Sequence, residues 1–111
     1  MRRVIALAKQ QLHEAQYVIA ALISPFKAMR QSARVTIGDQ HFIEVYVNTP
    51  LEVCELRDNK GLYRKARLGL IQNMTGIHSV YEAPSHAEIS IDTSSQTINQ
   101  SLLKILDLMN R

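Results

Sequence analysis

The chain has 111 residues, 46% of them hydrophobic and 21% charged, which fits one globular domain of common size rather than a disordered segment. A formal net charge of +3 is modest for a nucleic-acid binder, and no aromatic-rich stripe lies beside the cations; a small anionic substrate fits such a balance as well as a polymer does. One cysteine, Cys54, excludes an internal disulfide framework, and no apolar run nears the ~18 residues of a membrane span.

Residues 2–16 read as a helix, with Val4, Ile5, Ala8, Leu12 and Ala15 at helical spacing and Lys9, Gln10 and Glu14 facing water. The opening arginines and the early break at Lys9 make a poor export signal, so a cytoplasmic setting is the default. Residues 17–23, YVIAALI, form an apolar run without alternation, as in a strand covered on both faces. Ser24 and Pro25 end that run; a hydroxyl at the end of a buried parallel strand sits where open α/β sheets bind ligands. A helix over 26–35 follows, with Pro25 at its opening and Lys27 and Arg30 near its start, where they oppose the helix dipole.

Residues 36–40 read as a turn and 42–50 as a strand, with Phe42, Ile43, Val45, Tyr46 and Val47 as its β-formers. Thr49 is expected to cap the next helix, 51–57, with Glu52 completing a capping box. Arg57, Asp58 and Asn59 break that helix before a short basic one over 60–68. Lys60, Arg64, Lys65 and Arg67 crowd four cations into eight positions there, and an irregular stretch with Gly69, Gly76 and Pro84 continues to residue 84. Cations on a loosely held segment suit a cover that closes over an anion. A last strand is expected over 89–91. A cluster of potential caps follows at 92–95, then a helix to about 109 with an inner stripe of Ile98, Leu102, Ile105 and Met109. The alternation of helices and strands argues an α/β fold with a parallel sheet.

Familiar catalytic patterns are missing. The four histidines, His13, His41, His78 and His86, have no metal-ligand spacing, and there is no CxxC, HExxH, Gly-x-Ser-x-Gly or Walker A motif in the 111 residues.

Several blocks are nonetheless specific. They are Ile23-Ser24-Pro25-Phe26 with Arg30 after it, the run from Phe42 through Asn48-Thr49-Pro50 to Glu55, and Arg57-Asp58. Lys60-Gly61-Leu62-Tyr63-Arg64-Lys65-Ala66-Arg67, Thr75-Gly76-Ile77, Tyr81-Glu82-Ala83-Pro84 and Asp92-Thr93 complete the set. In these blocks, across nearly all of its length, the chain resembles the C-terminal part of the adenylyl-sulfate kinase (APS kinase) family. The resemblance implies a P-loop nucleoside-triphosphate hydrolase-like parallel sheet flanked by helices, with the N-terminal part missing, so that 1–111 is a partial kinase domain with a lid at 60–84. It implies transfer of the ATP γ-phosphoryl group to the 3′-hydroxyl of adenylyl sulfate, giving 3′-phosphoadenylyl sulfate in sulfate assimilation. ATP and magnesium are then the implied cofactors, and neither nucleic acid nor membrane is an implied partner.

By the same resemblance, Ser24 lies by the substrate and matches a serine discussed as a phosphorylation site. Ile23, Phe26, Lys60, Leu62, Met74, Thr75 and Gly76 face adenylyl sulfate, and Arg57 lies near the ATP adenine. The chain departs from the family's usual residues at Met74 (phenylalanine), His78 (aspartate), Val80 (proline) and Asn48 (aspartate). The family's Walker A loop would precede Arg2; without its phosphate-holding groups these residues alone are expected not to catalyse the reaction. The family's first strand would lie between 17–23 and 42–48. Those strands are then expected to lack an inner neighbour, which a homo-oligomer or a partner chain would supply. The alternative reading is a non-catalytic nucleotide-binding or interaction remnant of the family.

Overall fold

A computed structural model describes residues 1–110 and divides the chain into two compact units, Met1–Phe42 and a second beginning at Ile43. Among the described residues the elements run α1 (Arg2–Gln11), α2 (Lys27–Ile37), a 3₁₀ turn (Asp39–His41), β1 (Val45–Val47), α3 (Leu51–Arg57), α4 (Leu62–Arg67), β2 (Ile89–Ile91) and α5 (Ile98–Met109). None of these helices is long and apolar enough to cross a membrane.

In the first unit, α1 packs on α2. The predicted face of α1 is the half-buried one, at Val4, Ile5, Ala8 and Leu12, while Lys9 and Gln10 are exposed. The helix ends at Gln11 rather than Gln16. His13 and Glu14 donate their N–H groups to the carbonyls of Gln10 and Gln11, three residues back, which tightens the last turn and closes the helix. On α2, Ala33 is buried to 2% exposure, and the small side chain lets the backbones approach. Phe26, not Pro25, is the N-cap, so Pro25 stands one residue outside the helix.

Residues 17–23 are not a strand. They form no ladder with any described segment, and a strand exists only through a hydrogen-bonded neighbour. The apolar run is therefore left open, with Ile19 at 87% exposure and Tyr17, Leu22 and Ile23 also exposed.

The second unit is organised by a parallel pair in which Val45, Tyr46 and Val47 stand opposite Ile89, Ser90 and Ile91. β2 keeps the predicted 89–91 bounds and alternates buried, exposed, buried. The strand expected over 42–50 contracts to three residues because β2 offers only three partners. Asn48 extends the pairing by donating its N–H to Ile91 O at 2.7 Å. Tyr46 stacks on Tyr81, with centroids 6.2 Å apart, and covers part of the sheet. α5 packs on β2. Its expected inner stripe is largely uncovered: Ile98 is 86% exposed and Leu102 is exposed, while Ile105 and Met109 are half-buried.

Helix starts also differ from expectation. Pro50 is the N-cap of α3, with no side-chain cap, because the Thr49 hydroxyl is engaged elsewhere. α5 is capped by Thr97, not by the 92–95 cluster: its hydroxyl accepts the Gln100 N–H while the Gln100 side chain accepts the Thr97 N–H. Asp92 instead accepts from the hydroxyl and N–H of Ser94, and these bonds lower its pKa from the ordinary value. Thr97→Ala removes one half of this reciprocal cap and should cost about 1 kcal/mol. Amide exchange in the first turn of α5 should rise while that of the β1–β2 pair stays unchanged.

Candidate functional site

Ser24 has φ 47, in the left-handed region that residues other than glycine rarely enter. The proline that follows already disfavours the right-handed helical region at this position. Arg30 holds the backbone there: its guanidinium reaches back six residues from α2 and donates to the Ser24 carbonyl. Arg30 is buried, so this cation works inside the first unit, which the position near a helix start did not reveal. Ile23 and Phe26, on either side, are both exposed and leave apolar surface beside the Ser24 hydroxyl.

In the second unit the basic helix is firmly anchored. Asp58, itself at φ 24, directs both carboxylate oxygens at the start of α4: Oδ1 accepts the Tyr63 N–H and Oδ2 the Arg64 N–H, each at 3.0 Å. These two amides would otherwise be orphans of the helix start, and the carboxylate also suits the positive end of the helix dipole. Gly61, at φ 68, supplies the left-handed residue that turns the chain into α4.

α4 is also tied to α3. Arg67 donates Nε and Nη2 to the two oxygens of Glu55, at 2.7 and 3.2 Å. That forked pair lowers the Glu55 pKa from its ordinary value of 4.5 and raises that of Arg67. Between the helices, Tyr63 is pushed up, first by burial and then by Cys54, Asp58 and Glu55. Of the four cations read from the sequence, Arg67 is thus structural. Lys60, Arg64 and Lys65 are exposed.

Arg57 is held at the ends of both strands. Its Nη1 donates to Thr93 Oγ1 at 2.6 Å and its Nη2 to the Thr93 carbonyl at 3.0 Å. Thr49 Oγ1 lies 2.7 Å from Thr93 Oγ1 and accepts the Thr93 N–H. Thr49 follows β1 and Thr93 follows β2, so the pair clamps the strand ends across 44 positions of sequence and fixes Arg57 there.

Met74, Thr75 and Gly76 share a tight turn. The Met74 carbonyl accepts from the N–H groups of Ile77, His78 and Ser79, and Gly76 N–H donates to Ser79 O at 2.9 Å. Gly76 has φ 90, a backbone conformation that strains other residues, whereas a Cβ there would meet Leu51 Cδ1 only at an ordinary contact distance of 3.4 Å. His78 Nδ1 accepts the Met74 N–H at 3.2 Å. Leu62, near the start of α4, is exposed.

The candidates thus fall into two groups: Ile23, Ser24 and Phe26 in the first unit, and Arg57, Lys60, Leu62, Met74, Thr75 and Gly76 in the second. Reading the sequence placed Arg30 near a helix start but missed its bond to the Ser24 carbonyl, and it missed the Asp58 cap, the Glu55–Arg67 fork and the Thr49–Thr93 clamp. Only Asp58 left a signal, as a carboxylate just ahead of a glycine and a helix. No group of three or more His, Cys, Asp or Glu among the described residues is placed to hold a metal ion.

Comparison with known proteins places this geometry in context. A family model for adenylylsulphate kinase matches residues 1–92. An adenylyl-sulfate kinase of Pseudomonas aeruginosa is 49% identical over 109 residues, covering 98% of this chain and 56% of the relative. One from Klebsiella pneumoniae is 47% identical over 111 residues, covering 100% of this chain and 55% of the relative. The chain therefore spans about half the length of the curated relatives it matches. Among solved structures, an APS kinase from Mycobacterium tuberculosis in complex with AMPPNP and APS superposes with a TM-score of 0.80 at 32% identity, covering 100% of this chain and 69% of that one.

Two tests follow from the anchoring of α4. Asp58→Ala leaves two helix-start amides unpaired and should cost about 1–2 kcal/mol, seen as loss of amide protection at Tyr63 and Arg64. Because the Glu55 pKa is lower when folded, its contribution is present above the ordinary value and lost as pH falls through the lowered one. An acid titration of Glu55→Gln should therefore lack the part of the wild-type loss that falls in that window.

Proposed function

The chain belongs to the adenylylsulphate kinase family, and we propose that it carries the adenylyl sulfate-facing side and the lid (60–84) of a partial kinase domain spanning 1–111. The reaction is transfer of the ATP γ-phosphoryl group to the 3′-hydroxyl of adenylyl sulfate, in a cytoplasmic setting where Cys54 is a free thiol. The observation that carries the reading is an anchored helix with exposed cations. Asp58 and the Glu55–Arg67 fork hold α4, while Lys60, Arg64 and Lys65 stay exposed for an anion.

Within this reading Lys60 engages the anionic part of adenylyl sulfate. Leu62 and the turn at Met74, Thr75 and Gly76 receive the base, where a flexible methionine packs on a ring without a planar partner. Ile23 and Phe26 supply apolar lining and Ser24 a hydroxyl. Arg57, held by Thr93, is set against the ATP adenine. Phosphoryl transfer needs charge stabilisation at the β- and γ-phosphates. Magnesium is the metal that the family resemblance implies; at phosphoryl-transfer sites it is held by one or two carboxylates together with the phosphates of the substrate, and among the described residues no three His, Cys, Asp or Glu side chains are grouped to hold a metal ion by themselves.

The 111 residues by themselves should bind adenylyl sulfate without turning it over. Calorimetry with adenylyl sulfate should show binding that weakens roughly tenfold in Lys60→Ala, the loss of one charge-assisted contact of about 1.4 kcal/mol. A phosphoryl-transfer assay with ATP should stay at background; turnover by the 111 residues alone would overturn this reading. A second reading, a non-catalytic interaction remnant, draws support from the unladdered apolar run at 17–23. It predicts concentration-dependent association with a second copy or a partner chain, measured by sedimentation, and no adenylyl sulfate binding.

A further inference from the structure

The turn that carries Met74, Thr75 and Gly76 is closed in part by an imidazole. Four of its hydrogen bonds are backbone to backbone. The remaining one runs from the Met74 N–H to His78 Nδ1 at 3.2 Å, with the side chain exposed. Nδ1 can accept only when it carries no proton, so this bond requires neutral His78 with its proton on Nε2. A protonated imidazole has two donors and no acceptor, and it would set an N–H against the Met74 N–H. We propose that His78 is a proton-sensitive latch on this turn: neutral imidazole holds the Met74 N–H, and a proton on Nδ1 releases it while the four backbone bonds remain. That the latch governs ligand binding rests on the reading of Met74, Thr75 and Gly76 given above; the latch itself does not.

No other titratable side chain lies within residues 74–79. α3 reaches the turn through Leu51, which meets the position of a Gly76 Cβ. Of the charges on α3, Glu55 is taken by Arg67 and Arg57 by Thr93, which leaves Glu52, exposed in its first turn. After the turn come Tyr81, stacked on Tyr46, and then Glu82 and His86.

The test is NMR on the 111-residue chain between pH 5 and pH 8. At pH 8 the imidazole nitrogens of His78 should show the Nε2–H tautomer, and the Met74 amide should exchange slowly. Its protection, corrected for the intrinsic exchange rate, should fall at least about threefold between pH 8 and pH 5. His78→Asn places an oxygen where Nδ1 stood and does not titrate, so it should keep Met74 protected across the range. His78→Ala should leave Met74 unprotected throughout. The Asn48 and Ile89 amides, both donating within the β1–β2 pair, report that each variant is folded. An Nδ1–H tautomer at pH 8 would overturn the latch. So would protection at Met74 that ignores pH in the wild type, or that still follows pH in His78→Asn. Adenylyl sulfate affinity followed over the same range separates the two readings: NMR latching without pH-dependent binding sinks the ligand role of the turn and spares the latch.

Discussion

Pairing of two three-residue strands across 44 positions is the constraint on which the second unit depends. Each strand is too short to hold by its ladder alone, since a lone strand pair is marginal in water. What completes it is polar. The Asn48 N–H continues the ladder onto Ile91, the Thr49 and Thr93 hydroxyls meet at its end, and the Arg57 guanidinium closes over Thr93. Ile89 and Ile91 are buried on one side, and Tyr46 packs under Tyr81. The strand ends are thus fixed by the same groups that set the direction of Arg57.

From that fixed end the chain builds outward by short, local devices. α3 begins two residues after the clamp, α4 begins on the Asp58 carboxylate one residue after α3 ends, and Glu55 binds Arg67 back to α3. A surface ion pair of this kind contributes little by itself. Its effect is directional: it keeps α4 in one place relative to α3 and removes Arg67 from the cations available to a ligand. The charge that remains on the segment is concentrated at Lys60, Arg64 and Lys65.

The first unit shows a related economy around a strained residue. A left-handed Ser24 ahead of proline is costly. Arg30 offsets that cost through the Ser24 carbonyl, and its burial makes the contact more than an exposed ion pair would be. Strain supported in this way, at a serine flanked by exposed Ile23 and Phe26, is the feature of this unit that most resembles a binding position. The 17–23 run is the counterpart: its residues have the character of a buried strand but are mostly exposed, and they form no ladder with any described segment.

The sequence alone determined what depends on near neighbours and on residue type. Apolar spacing placed α2, α3, α4 and α5 to within a few residues and located α1 although its end falls five residues earlier, and the strand at Ile89–Ile91 has the bounds expected of it. The specific blocks from Ile23 to Thr93 carried the family. The tertiary structure alone decided what depends on distant partners. Whether 17–23 is a strand turns on whether another segment lies beside it. Whether Thr49 caps a helix or clamps a strand turns on Thr93, and whether Arg67 is a ligand cation or a brace turns on Glu55. A helix closes its own hydrogen bonds within one turn of chain, so its code is local. A ladder, a clamp and a salt bridge each need a group from far along the chain, and spacing along one segment holds no record of which group arrives.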